Sequence, residues 1–599
     1  MIKRILATTF FLVLGGLFFG TKVEAAIVDT KVERTFTASP EYMEVNERKI
    51  TRVTVPGFKI PKGEHETFIL QNFIKTDDAN AKLDFMQNSI EVTSEDGQKI
   101  TPLINRKGET IEVKVAFPRD IRTNESYSFN LRYRTQDLVE HSGNLYDIYV
   151  PAFAKDFQFV STEDAVSYTT TVLVPVSMGP LNFAIPDKDV IRDGEFWRVN
   201  IETTDLVGRF AWIQLGTTQF YEFTITQEYF VGSNSPFLFN TYEIVIPRNF
   251  QVSQIKQEVL FKNFDPAPEQ VRRDSQGNLI AIYTLPANES GVIKISGYAR
   301  IEQTKEDIRA NSGTIADIPS ELLQLTKPAE FWEVDSPEIA KKAAELKANE
   351  TNVYKLVEKT YLNIVNSIDY TDVERFGIVP RRGALATLRG GAAVCMEYSD
   401  LFIALMRAQG VPARAAYGHG YDPRVSANEQ VGHQWAEVYF PGIQDWVAVD
   451  VTWGESGQVL IGGDLNHLYT HIAEASPDQT PQMRTKYFGD NPTRDGVKLN
   501  VATIAALPQE TLLSEAEVVS NYPAPNFLSA INKRIQQIFG GIDQSLDNTI
   551  TTDWGVQGGE QSLIKLAIYL TPIAAITGYL IVRRSRSRHK RYSKGFISS

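Results

Sequence analysis

Gly391-Ala392-Ala393-Val394-Cys395-Met396-Glu397-Tyr398, then Gly432-His433-Gln434-Trp435-Ala436-Glu437-Val438, then Trp446-Val447-Ala448-Val449-Asp450 follow one another along the chain. Cys395 is the only cysteine among 599 residues. Tyr398, Leu401, Phe402, Leu405 and Met406 recur at helical spacing, so Cys395 is expected to open an amphipathic helix that Gly410 and Pro412 close. A thiol at that place meets the positive end of the helix dipole, and the first-turn amides, uncommitted within the helix, can receive an oxyanion. His433 begins a strand-like stretch in which Trp435, Glu437 and Tyr439 share a face, and Trp446 to Asp450 reads as a second strand ending in a carboxylate. If Pro441-Gly442 forms a two-residue turn, Phe440 pairs with Ile443 and the same register sets His433 directly opposite Asp450.

Nucleophile, base and orienting carboxylate are thereby supplied by Cys395, His433 and Asp450. Taken singly, each has a plainer use. A buried cysteine packs as a small hydrophobe, a histidine is commonly structural, and an aspartate ends strands. The ordered set favours chemistry. His419, His467 and His471 lack an equivalent strand partner, and His419, in Gly418-His419-Gly420-Tyr421, reads as a loop residue near the cleft.

Outward from this segment, a helix start is written in Asp335-Ser336-Pro337-Glu338, with serine as cap and proline in the first turn. Leu356, Val357, Tyr361, Ile364 and Val365 form one helical stripe. Upstream, residues 27–305 read as β-structure. Tyr127, Phe129, Leu131 and Tyr133 alternate with polar residues, Tyr221, Phe223 and Ile225 do the same, and turn signals recur. Antiparallel sandwiches are expected at 27–216 and 217–305, followed by a linker at 306–334. No internal repeat is evident.

The ends carry membrane signals. Lys3 and Arg4 precede the apolar run Ile5 to Phe19, and small residues near Ala25 suit cleavage of a signal peptide spanning 1–25. Residues 563–582 are apolar enough for a single transmembrane helix, and the basic tail 583–599 behind them is expected in the cytoplasm. Residues 476–562 are then a stalk and juxtamembrane region, and the bulk of the chain is extracytoplasmic. A net charge of -12 argues against nucleic acid as a partner. There is no glycine-rich phosphate loop and no paired-cysteine zinc spacing, so no cofactor and no metal is expected.

The segment 335–475 resembles the transglutaminase-like superfamily, whose core is similar to papain-type cysteine proteases. The resemblance rests on Cys395 opening a helix, on Gly410-Val411-Pro412-Ala413-Arg414, on His433-Gln434-Trp435-Ala436-Glu437, and on Trp446 to Asp450 followed by Thr452. It implies Cys395 as nucleophile, His433 as base and acid, and Asp450 as its orienter. Ala393 stands where many members have glycine, and Val451 where many have proline. Animal members use calcium; no EF-hand-like loop occurs here.

The fold expected is therefore α+β multidomain: β-sandwich domains, a papain-like core and one C-terminal transmembrane helix. The function expected is cleavage of amide or peptide bonds in extracytoplasmic proteins or cell-wall peptides through an acyl-thioester. Hydrolysis is favoured over cross-linking because no feature is dedicated to an amine acceptor. The alternative is a membrane-tethered adhesion or scaffolding protein whose cysteine domain is silent.

Overall fold

A computed structural model describes residues 28–72, 78–151, 165–185, 190–202, 211–235, 237–304, 307–371, 381–421, 432–453, 461–476 and 481–525. The signal peptide expected at 1–25, the span at 563–582 and the tail at 583–599 lie outside these residues. Among the described residues no helix is long and apolar enough to cross a membrane.

The chain divides into two compact units, the first ending at Thr217 and the second beginning at Thr218. The first is built on an eight-stranded sheet, with a four-stranded and a three-stranded sheet beside it. The alternation around Tyr127 does form a strand, Ser126–Thr135, with Tyr127, Phe129, Leu131 and Tyr133 buried. One expectation is corrected: Val28–Ala38 runs parallel to Ala165–Pro175. A parallel pair needs a long return connection, and here much of the unit lies between the two strands in sequence.

In the second unit a six-stranded and a four-stranded sheet share aromatic residues, with Tyr229 and Tyr242 rings 5.6 Å apart. Residues 217–305 do not complete this sandwich. Lys498–Ile504 pairs with Thr218–Tyr229, Met483–Lys486 pairs with Phe239–Ile246, and Leu513–Ser514 pairs with Ile255–Asp265. The stretch expected as a stalk thus supplies three strands and the helix Glu515–Asn521. These strands are short, and nothing local reveals that a partner two hundred residues upstream offers each an open edge.

The stretch expected as a linker is also corrected. Trp332 is fully buried in the helical core with Tyr361, Tyr398 and Phe402, and its indole N–H is satisfied there by Asp400 at 2.8 Å. That core packs the helices Pro337–Lys347, Val353–Ser367 and Cys395–Ala408. Ser336 precedes the first with proline in its first turn. Asn352 caps the second, accepting the Lys355 N–H at 3.1 Å. The stripe Leu356, Val357, Tyr361, Ile364 and Val365 is buried. A four-stranded antiparallel sheet completes the fold in the order Asp445–Val449, Gly432–Phe440, Ala413–Gly420, His467–Ala473.

His467–Ala473 is the outer strand, and two side-chain amides of the sandwich cover its open edge. Gln257 donates to the Tyr469 carbonyl and accepts its N–H, both at 2.8 Å. Asn278 does the same to Ile472 at 2.8 and 3.0 Å. An amide presents one donor and one acceptor, so each substitutes for a residue of a neighbouring strand.

Candidate active site

Cys395 is the first residue of Cys395–Ala408 and is partly exposed, whereas the rest of that helix is largely buried. The loop before it is held from several sides. The Val394 N–H donates to Glu397 Oε2 at 3.2 Å, closing the first turn. Glu397 Oε1 accepts the Arg382 N–H at 3.1 Å, and the Arg382 guanidinium donates to the carbonyls of Gly390 and Ala392 at 2.6 and 2.7 Å. The Thr371 N–H donates to the Ala393 carbonyl at 2.8 Å, and the Ala393 N–H donates to Thr371 Oγ1 at 2.9 Å. At the far end Gly410, with φ +90, takes the left-handed conformation that ends the helix.

The hairpin that carries His433 differs from the expected register. Phe440 pairs with Asp445 and Ala436 with Val449, so the turn has four residues, 441–444, with Gln444 at φ +55. The register is displaced by two residues. Because side chains alternate with period two, that displacement leaves His433 and Asp450 on one face. His433 Nε2 lies 2.7 Å from Asp450 Oδ2. The other ring nitrogen is then the one left for the Cys395 thiol, whose interaction with this ring favours the imidazolium. Burial disfavours the His433 imidazolium, but the charge and hydrogen bond of Asp450, with Cys395 in support, hold its pKa above the ordinary histidine value.

Asp450 uses both oxygens. Oδ1 accepts the N–H of Thr452 at 2.9 Å and of Trp453 at 3.2 Å; Oδ2 meets His433 and also His467 Nε2, at 3.0 Å. Burial opposes its charge, yet the two imidazoles hold its pKa below the usual carboxylate range. His467 Nδ1 is bound in turn to Asp464 Oδ1 at 2.8 Å. Trp435 and Trp453 stack on His433 from centroid distances of 5.8 Å, excluding water from the ring faces.

The structure therefore brings the three expected residues together, and it adds one that the sequence reading set aside. His467 does have a partner, Asp450, although the strands Asp445–Val449 and His467–Ala473 form the two opposite edges of the sheet. Its link arises from the first and fourth strands in the sheet order, an order no local pattern announces; Asp464, three residues before it, was the only available hint. His419 is corrected as well: it sits in Ala413–Gly420, is 1% exposed, and neither ring nitrogen has a hydrogen-bond partner among the described residues. The glycines read as loop signals serve packing, since a Cβ on Gly420 would lie 3.0 Å from both the His433 and Trp453 rings. Burial, then the nearby His433 and His467, push His419 down to about 4. His471 stacks on Tyr417 at 4.5 Å, away from the cleft residues.

Two further pairs hold the frame. Asp400, fully buried one turn beyond Cys395, takes a bidentate fork from Arg381 at 2.5 and 2.8 Å and an amide N–H from Gln434 at 3.2 Å. Arg414 binds Glu437 at 2.7 Å and lies over the Trp446 ring at 4.0 Å.

Ligand atoms of His433, Asp450 and His467 fall within 4.8 Å of one another. Both Nε2 atoms, however, point at one carboxylate oxygen at hydrogen-bond distances of 2.7 and 3.0 Å. Ligands around a tetrahedral zinc stand about 3.3 Å apart, given bonds near ~2.0 Å. The donors present here fit a hydrogen-bonded chain.

No curated protein matches the chain. Among solved structures, a candidate cysteine protease from Cytophaga hutchinsonii is similar over 50% of this chain and 94% of its own, with 17% identity and a TM-score of 0.36. The periplasmic domain of TgpA from Pseudomonas aeruginosa, bound to ethylmercury, is similar over 40% of this chain and 91% of its own, with 18% identity and a TM-score of 0.21. At such scores neither likeness carries an argument about this chain. Residues 340–451 match the family model of the transglutaminase-like superfamily, and they span Cys395, His433 and Asp450. The chain thus carries a transglutaminase-like domain in its second compact unit.

Proposed function

We propose that this domain is a cysteine enzyme acting on amide bonds. The observation that supports it is the 2.7 Å bond between His433 and Asp450, with a partly exposed Cys395 at the start of a helix acting on the same imidazole. The thiolate attacks the carbonyl carbon, and a C–S bond forms as the carbonyl electrons move to oxygen. First-turn amides of Cys395–Ala408 receive that oxyanion. His433 donates its proton to the nitrogen as the C–N bond breaks, leaving an acyl-thioester and a free amine. Water then gives up a proton to His433, adds to the acyl carbon and releases acid and thiolate. A lysine amine taking the place of water would form a cross-link. Hydrolysis is the favoured outcome. In this reading the substrates are extracytoplasmic polypeptides or cell-wall peptides, met by a chain exported through residues 1–25 and held by residues 563–582.

The test is alkylation together with turnover. Iodoacetamide should label Cys395 and abolish cleavage of a casein or peptide-amide substrate, and His433→Ala should slow labelling at neutral pH at least tenfold. Equal labelling of His433→Ala with activity retained would overturn the triad. A native chain with no cleavage, no amine incorporation and an unreactive thiol would favour a scaffold instead.

A further inference from the structure

The buried chain behind Asp450 has one member too many for a triad. His467 is 4% exposed, and each of its ring nitrogens faces a carboxylate oxygen: Nδ1 at 2.8 Å from Asp464, Nε2 at 3.0 Å from Asp450. A neutral imidazole carries a single N–H, so one nitrogen would turn its lone pair on a carboxylate. Only the imidazolium donates to both. The oxygen it reaches on Asp450 is the same Oδ2 that His433 uses.

We infer that His467 is a permanently cationic positioning residue, clamped by Asp464, which shares Asp450 with His433 and limits how tightly His433 keeps its proton. The inference rests on the thiolate–imidazolium reading above and assigns the control of that same pair. Four titratable groups face His467: Asp464 from its own loop, Asp450 beyond Asp445–Val449, His433 from Gly432–Phe440 and His419 from Ala413–Gly420. Tyr469 lines the same small cavity and is held neutral by burial; Trp435 and Trp453 pack against the ring at 4.7 and 4.5 Å. Two carboxylates and His467⁺ leave a net single negative charge to hold His433. The two carboxylates without that cation would raise His433 further and make it a weaker acid toward the departing amine. The opposed requirements are both met: Asp450 keeps an imidazolium beside the thiolate, and His467 keeps that imidazolium able to release its proton. Consistent with the geometry, burial disfavours the His467 cation, yet Asp464 and Asp450 raise its pKa to about 9.

His467→Gln keeps an N–H donor for Asp450 and removes the charge. With ring centroids 5.5 Å apart, screened repulsion of that kind is worth about one to two pH units. In the full chain, the rate of Cys395 alkylation is measured against pH, with Cys395→Ala as the blank. The alkaline limb, where His433 loses its proton, should move up by about one unit in His467→Gln, and kcat should fall while KM stays within about twofold. An unmoved limb in a folded variant, with the wild type labelling fast, overturns the role of His467 alone. Wild-type labelling no faster than a free thiol overturns the triad reading instead. Should His467→Gln fail to fold, ¹⁵N-histidine spectra decide. Wild type should hold two doubly protonated rings up to about pH 8, and Asp464→Asn should hold one fewer. An unchanged number of doubly protonated rings in Asp464→Asn overturns the clamp.

Discussion

His433 and Asp450 are diagonal neighbours across their hairpin. Ala436 opposite Val449 is the last backbone pair, and continuing that register places Asp450 opposite Trp435, two residues from His433. The 2.7 Å hydrogen bond therefore spans the diagonal, and Asp450 is steadied for it by two backbone N–H groups on its other oxygen. An orienter fixed in this way needs no help from the strand ladder.

Asp450→Asn should test it. The amide keeps the shape but loses the charge that holds His433 above its ordinary pKa. kcat/KM should fall on the order of 10²–10⁴-fold, and the alkaline limb of Cys395 alkylation should shift down. A variant with an unaltered pH profile would show that Asp450 is merely structural.

Arg381→Ala should destabilise the domain by about 3–5 kcal/mol, since it leaves Asp400 buried without its cation. Burial already pushes Asp400 upward, with Arg381 the main force opposing it. Without Arg381 the carboxyl takes up a proton more readily, so the deficit should shrink as pH is lowered. Thermal melts at several pH values check this; a deficit independent of pH would mean that packing, rather than charge, is lost.

Gln257→Ala combined with Asn278→Ala should free the edge of His467–Ala473. Each change strands a backbone N–H and a C=O, at about 1–3 kcal/mol per unsatisfied group. Because that strand carries His467, turnover should drop although neither residue touches the cleft. Hydrogen exchange at Tyr469 and Ile472 should quicken in step; protected amides there with lost activity would point to another cause.

Ending the chain at residue 476 should unfold more than a stalk. It removes Lys498–Ile504, which pairs with Thr218–Tyr229 over seven residues, and Met483–Lys486. Limited proteolysis should then cut within 218–303. A shortened chain as resistant as the whole one would restore the stalk reading.

His419 sets an acid limit. Its folded pKa, about 4, lies below the unfolded value, so its neutral form contributes stability above roughly pH 6.5 that is lost as pH falls toward the folded value. The loss should amount to roughly 3 kcal/mol between those limits. His419→Gln should flatten the fall in melting temperature over that window. A variant that tracks the wild type would remove His419 as the titrating group.

What local sequence determined is the chemistry of each segment. The spacing after Cys395 placed it at a helix start, because a buried stripe can recur every three to four residues only on a helix. The alternation around His433 and Asp450 placed both on one face, and it did so even though the turn is longer than expected, because a displacement by two residues conserves parity. Tertiary structure alone decided the rest. His467 joins Asp450 through strand order in the sheet, Trp332 enters the core through a bond to Asp400, and three short strands after residue 480 close a sandwich begun at Thr218. Hydrogen bonds between distant strands and buried charges are satisfied by whatever the folded chain brings near, and that proximity is not written in any window of neighbouring residues.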